Sequence, residues 1–268
     1  MIIGASSFAG TLPELESEVK SIELYIPKLG VYEGTKLIKA RICRLKDTLS
    51  SYDLSTSIHA PYFSYAPNYP HELVVDTARL DDIAQRLIKE SIMIAEFLGS
   101  GVVVVHPGRI DTNKERSFQS MVSGLSGLAK FAGDANVTLG LENKEGTDPL
   151  NLCISASGLI KAIREIGSPN VGVTFDIGHA NLTCEGNQEK LREFANEIKD
   201  HVAHVHVHDN HGYPTENFGG DLHGAPGTGV IDFSILKELR FNGVYNLEVF
   251  SVEDVKAGKK MLLGLKGN

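Results

Sequence analysis

Eight short apolar runs recur along the 268 residues, each followed by a stretch with helical periodicity, and this alternation constrains the fold more than any other feature. The runs are IIG at Ile2, IELYI from Ile22, TSIH from Thr56, VVVVH from Val102, TLGLE from Thr138, VGVTFD from Val171, VAHVHV from Val202 and YNLEV from Tyr245. Helices are predicted between them over 12–20, 35–50, 77–97, 116–135, 155–166, 188–199, 233–239 and 252–265. Capping chemistry marks two of the starts, Asp232 before FSILKEL and Ser251 with Asp254 three residues on. Strands alternating with helices pair in parallel through right-handed crossovers, and eight such units close most simply into a (β/α)8 TIM barrel. An open doubly wound sheet is the alternative, but no G-x-G-x-x-G follows the first run. No linker divides the chain, so one domain is expected over 1–268.

Composition removes several classes of partner. The net charge is −8, which supplies no overall attraction for nucleic acid or anionic membrane and leaves only a local basic groove as a means of binding DNA. Cys43, Cys153 and Cys184 are odd in number and contain no C-x-x-C pair, so a disulfide framework is not expected. MIIGASSF has no basic segment before an apolar one, and VVVV at 102–105 is far too short to span a bilayer. A soluble, cytoplasmic protein is expected.

In a barrel of this kind, chemistry sits at the C-terminal ends of the strands. Those ends read SIHAPYF, VVHPG, GLENKEG, TFDIGHAN, HVHVHDN and NLEVF, breaking apolar runs with His59, His106, Glu142, Asp176, His206 and Glu248. His179 follows Asp176 by three residues, and Asp221 and His223 stand in DLHGAPGTG. Any one of these histidines alone reads as a hydrogen-bonded core residue. Four carboxylates converging on one mouth are another matter, because each costs several kcal/mol to desolvate unpaired. Arg109 and Lys144, nearby in loops, cannot neutralise four acids. Divalent metal is the economical counter-charge, and mixed His and carboxylate ligation suits zinc or manganese better than magnesium.

The stretch HVAHVHVHDNHG places five histidines in twelve residues. Residues two apart on a strand share a face, so His204, His206 and His208 point one way and the intervening valines the other. His206 is expected to be the ligand, with His208 above it at the rim as a substrate or supporting contact. His204 is expected in the core, and His201 and His211 in solvent.

These motifs resemble the xylose isomerase-like TIM barrels, the superfamily that holds AP endonuclease family 2, endonuclease IV and many sugar or sugar-phosphate isomerases and epimerases. The likeness covers nearly the whole chain through SIHAPY, VVHPG, GLEN, FDIGHAN, HVHD, D-x-H-x-x-x-G-x-G and the Glu of NLEVF. For an isomerase or epimerase, the resemblance implies one Mn2+, Mg2+ or Co2+ on Glu142, Asp176, His206 and Glu248, with the two glutamates moving protons at carbon. For an endonuclease IV-type hydrolase, it implies up to three Zn2+ on His59, His106, Glu142, Asp176, His179, His206, Asp221, His223 and Glu248. Glu142 would then bridge two of them. Tyr62 matches a residue that endonuclease IV uses at abasic sites in DNA, and Tyr62, His208, Arg109 and Lys144 are the expected substrate contacts. All nine ligand positions are filled, more than an isomerase needs, and by that count a zinc phosphoesterase ranks first, an isomerase or epimerase second and an inactive binding barrel third. Three segments depart from endonuclease IV: GASSFAG after the first run, NKEGTDP after Glu142, and Leu222 where an arginine is usual.

Overall fold

The computed structural model describes residues 1–62, 75–216 and 218–266. Within them lie strands β1 (Ile2–Ser6), β2 (Ser21–Tyr25), β3 (Ser55–His59), β4 (Val102–Val105), β5 (Thr138–Glu142), β6 (Val171–Asp176), β7 (Val202–Val207) and β8 (Val244–Leu247). They form a closed parallel barrel in chain order, sealed where Ile2 pairs with Val244 and Ala5 with Leu247. Each strand coincides with one of the apolar runs.

The helices that cover the barrel are α1 (Leu12–Glu16), α2 (Lys39–Leu49), α3 (Asp82–Leu98), α4 (Lys114–Asp134), α5 (Ala156–Ile166), α6 (Ile177–Thr183), α7 (Gln188–Ile198) and α8 (Val252–Lys266). None of the described helices is long and apolar enough to cross a membrane. Helix α3 shows how the layers join: Ala84, Leu87, Ile88, Ser91, Ile92 and Ala95 recur at three- and four-residue spacing and all are buried. Burying each large aliphatic side chain there contributes about 1.5–3 kcal/mol. On the strands the other periodicity holds. Val205 and Val207 are buried in the apolar layer, whereas His204 and His206 of β7 reach Glu23 of β2 across the barrel interior.

Several helix boundaries differ from expectation for local reasons. The segment 35–50 gives part of its length to a hairpin that pairs Tyr32–Glu33 with Lys36–Leu37, leaving the helix to begin at Lys39. The segment 77–97 has two separate caps. Asp76 accepts from the Ala78 amide to start a 3-10 turn, and Asp81 accepts from the Ala84 amide at 2.7 Å to start α3. The first connection is one short helix, α1, in which the Glu14 carboxylate accepts from the Thr11 amide at 2.9 Å. Phe233–Lys237 is a 3-10 segment, capped by Asp232 as expected. The Ser251 hydroxyl accepts from the Asp254 amide at the start of α8, also as expected.

Candidate metal centre

The strand ends carry their polar residues to one mouth, and the loops hold them there. Asp176 closes β6 and caps α6, its Oδ1 accepting from the His179 amide at 2.7 Å. Asn143, one residue after β5, latches onto the same point. Its side-chain amide donates to the Asp176 carbonyl at 2.8 Å, and its Oδ1 accepts from the Asp176 amide at 2.9 Å. In the sequence Asn143 carries no functional signal, because an asparagine after a strand ordinarily marks a turn.

Glu142 is the hub. Its Oε2 lies 3.0 Å from His106 Nε2 and 3.6 Å from His59 Nε2, and its Oε1 lies 3.2 Å from His179 Nδ1 and 3.6 Å from His206 Nδ1. His206 Nδ1 is also 3.0 Å from Glu248 Oε2 and 3.7 Å from Asp176 Oδ2. Glu142 Oε2, His206 Nδ1 and Glu248 Oε2 are nevertheless buried without any hydrogen-bond partner. Lone pairs that converge without bonding one another are what a cation requires, and ligand atoms of Glu142, Asp176, His206 and Glu248 all fall within 4.8 Å of one another.

Two further groups adjoin this one, His59, His106 and Glu142, and His179, His208, Asp221 and His223, and Glu23 completes two more, one with His204 and His206 and one with His59 and Glu248. Backbone carbonyls orient three of the rings. Nδ1 of His59, His179 and His223 donates to the carbonyls of Ala60, Asn143 and Glu248 at 2.8, 2.9 and 2.8 Å, which in a neutral ring frees Nε2 as a lone pair. His223 adopts a left-handed backbone, with φ of 46°, to reach its place beside Asp221. His208 is expected at the rim, but the structure buries it, with Nε2 3.0 Å from Asp176 Oδ1. Gly178 makes room for this ring, because a Cβ there would stand 2.0 Å from His208 Cε1. His204 lies in the core as expected, His211 is exposed, and His201 is half-buried.

Electrostatics follow from the crowding. Burial alone would raise the Glu142 carboxyl, but the His106 and His206 rings outweigh it and hold the group well below the usual carboxylate range. Asp221 behaves alike, with His179 and His223 overcoming burial. Burial lowers the His106 ring to about 4 despite Glu142, whereas Asp221 overcomes burial at His223 and lifts it to about 9.

Beside the centre opens a cavity of about 460 Å3 lined by Tyr62, His106, Arg109, Lys144, Asn151 and Asp221 among others. Tyr62 stacks on His106 with ring centroids 3.8 Å apart. Arg109 is 2.6 Å from Asp148, and Lys144 is 3.0 Å from Glu145 and 3.3 Å from His179 Nε2. Both cations are thus already paired, and only part of their charge is open to the cavity.

Glu23, like Asn143, gives no functional signal in the sequence. Mid-strand in IELYI it passes for a solvent-facing alternation, yet it is 1% exposed and its Oε2 lies 3.1 Å from His206 Nε2. The available signal was that β2 belongs to a closed barrel, where every second residue faces an interior.

Known proteins place the chain consistently. A solved D-tagatose 3-epimerase-like protein is 27% identical, covers 99% of this chain and 97% of its own, and superposes with a TM-score of 0.80. The IOLI protein, solved with a bound zinc atom, shares the fold at 18% identity and a TM-score of 0.73, over 99% of this chain and 98% of its own. MJ1311 of Methanocaldococcus jannaschii, itself uncharacterised, is 32% identical over 241 residues, which cover 87% of this chain and 77% of the relative. The family model for the xylose isomerase-like TIM barrel matches residues 15–265, and the chain belongs to that family.

Proposed function

We propose that the protein is a divalent-metal-dependent isomerase or epimerase of a ketose or ketose phosphate, with Glu142 and Glu248 as its proton-transfer pair. The observation that carries the reading is the set Glu142, Asp176, His206 and Glu248, whose ligand atoms converge while three of them lack hydrogen-bond partners. The likeness to a D-tagatose 3-epimerase-like protein supports the sugar class and reverses the order in which sequence alone ranks the two enzymes. When bound, a divalent ion supplies Lewis acidity that polarises a substrate carbonyl and acidifies the neighbouring C–H. One glutamate removes that proton and the other delivers a proton, to the same carbon for epimerisation or to the adjacent carbon for isomerisation. His106, kept neutral by burial, can accept a hydrogen bond from a sugar hydroxyl, and Tyr62 walls the same cavity. The test is incubation of the Mn2+-loaded protein with a panel of ketoses and their phosphates in D2O. Deuterium at carbon beside the carbonyl, with a new epimer or aldose, is expected; no exchange in any member of the panel overturns the reading.

A second reading rests on the two adjoining ligand groups, His59, His106 and Glu142 with His179, His208, Asp221 and His223. Filled together with the first, they would make a three-zinc phosphoesterase, for which closely spaced cations neutralise attacking and leaving oxygens. Elemental analysis separates the readings: about one divalent ion per chain favours the isomerase, and about three zinc ions with hydrolysis of abasic duplex DNA favour the phosphoesterase.

A further inference from the structure

We propose that Glu23 is a positioning residue of the metal centre, fixing the His206 ring in the orientation and tautomer that turn its Nδ1 lone pair toward Glu142, Asp176 and Glu248. The inference rests on the metal-dependent reading above, though not on the identity of the substrate. Glu23 projects from β2 into the barrel beneath the mouth, 1% exposed. Its Oε2 lies 2.9 Å from His204 Nε2 and 3.1 Å from His206 Nε2, and its Oε1 accepts from the Asn246 side-chain amide at 3.3 Å. Among the described residues no Lys or Arg pairs with it.

An ionised carboxylate can only accept, so the hydrogen bond from His206 Nε2 puts a proton on that nitrogen. In a neutral imidazole the lone pair is then on Nδ1. That atom faces Glu248, Asp176 and Glu142 at 3.0, 3.7 and 3.6 Å, and it is buried with no hydrogen-bond partner. His59, His179 and His223 are steered by neutral backbone carbonyls through Nδ1, whereas His206 is steered through Nε2 by a carboxylate from a strand 183 residues away. A charged acceptor behind a metal-binding imidazole makes it a stronger donor to the metal and holds its plane. Glu23 does not line the cavity, and although ligand atoms of His59 and Glu248 lie within 4.8 Å of its own, the hydrogen-bonding geometry it makes with a member of the four-ligand set is with His206.

The test is a Mn2+ titration of metal-stripped wild type and Glu23→Gln by calorimetry, with the isotherm of this centre identified as the one lost in His206→Ala. Glu23→Gln is expected to weaken that Kd by about 10- to 100-fold. A buried carboxylate with a purely structural role would change thermal stability and leave Kd alone. The second measurement needs no variant: in Zn2+-loaded wild type, 1H–15N spectra of the histidine side chains should show His206 protonated at Nε2. A Kd within twofold of wild type in Glu23→Gln, or His206 protonated at Nδ1, overturns the inference. Wild type that binds no divalent ion overturns the inference and the metal-dependent reading together. Normal metal behaviour with no action on any ketose defeats the sugar reading and leaves the role of Glu23 standing.

Discussion

Glu142 meets four imidazoles, those of His59, His106, His179 and His206, and no other carboxylate of the centre is so connected. An amide in its place would keep the shape, lose the negative charge and be a poor proton acceptor. Glu142→Gln is therefore expected to lower kcat by about 10²–10⁴-fold, and metal content measured beside the rate shows whether ligation or proton transfer has failed. Near wild-type turnover with metal retained would remove Glu142 from the mechanism. The metal-free protein should also have a distinctive response to pH. His223 is lifted from 6.5 to about 9, chiefly by Asp221 against burial, and His179 and His206 are raised well above 6.5 by their carboxylates, again against burial. A raised folded-state value means that the stability these rings contribute is complete below 6.5 and is lost as the pH climbs through the folded values. Chelated protein should thus show a Tm that falls between pH 6.5 and 9, while the metal-loaded form should not, because ligation needs the deprotonated rings. A flat or rising Tm for the chelated protein across that window would refute this account. At this scale the sequence was informative where a polar residue ended an apolar run, as at His106 or Glu248, since few other causes put one there. Glu23 was invisible because its neighbours Ile22 and Leu24 give it the look of an ordinary alternating strand, and only closure of the barrel turns its side inward.

The element after β7 shows how one buried carboxylate shapes a loop. Asp209 accepts from the backbone amides of Asn210, Gly227, Gly229 and Ile231, at 2.9, 2.8, 2.9 and 3.3 Å. These bonds gather the segment that carries Asp221 and His223 against the end of β7. Asp209→Ala would leave several buried donors unmet, at about 1–3 kcal/mol for each that water cannot reach. A loss of about 3 kcal/mol in stability is expected, together with weaker ion binding by the His179, Asp221 and His223 group and an intact response from Glu142, Asp176, His206 and Glu248. Equal weakening of both groups, read by titration, would show that the loop does not act separately. Helix identity was legible from periodicity for α4, α5, α7 and α8, whose apolar spacing is regular. The hairpin at 32–37 and the short helix α6 were not, for different reasons: two-residue strands carry no period, and α6 buries its polar His179 and Asn181 along with its apolar residues, so it has no exposed face to contrast with a buried one.

For the whole molecule, an ion bound at the centre would act as a cross-link without a covalent bond. Glu142, Asp176, His206 and Glu248 come from β5, β6, β7 and the end of β8, so an ion held by all four opposes unfolding of that half of the ring. At a free ion concentration one hundred times Kd, linkage adds about 2.7 kcal/mol to stability, and the Tm should rise with metal and fall again with chelator. Unchanged Tm under saturating Mn2+, Co2+ and Zn2+ would argue against any such ion. The seam of the barrel has a consequence for synthesis. Because Ile2 pairs with Val244, the first strand made must wait for the last, and Glu248 leaves the ribosome after every other member of the centre. A nascent chain can therefore assemble most of its helices before it has all four candidate ligands, so that the set is complete only once translation has delivered the last strand of the ring.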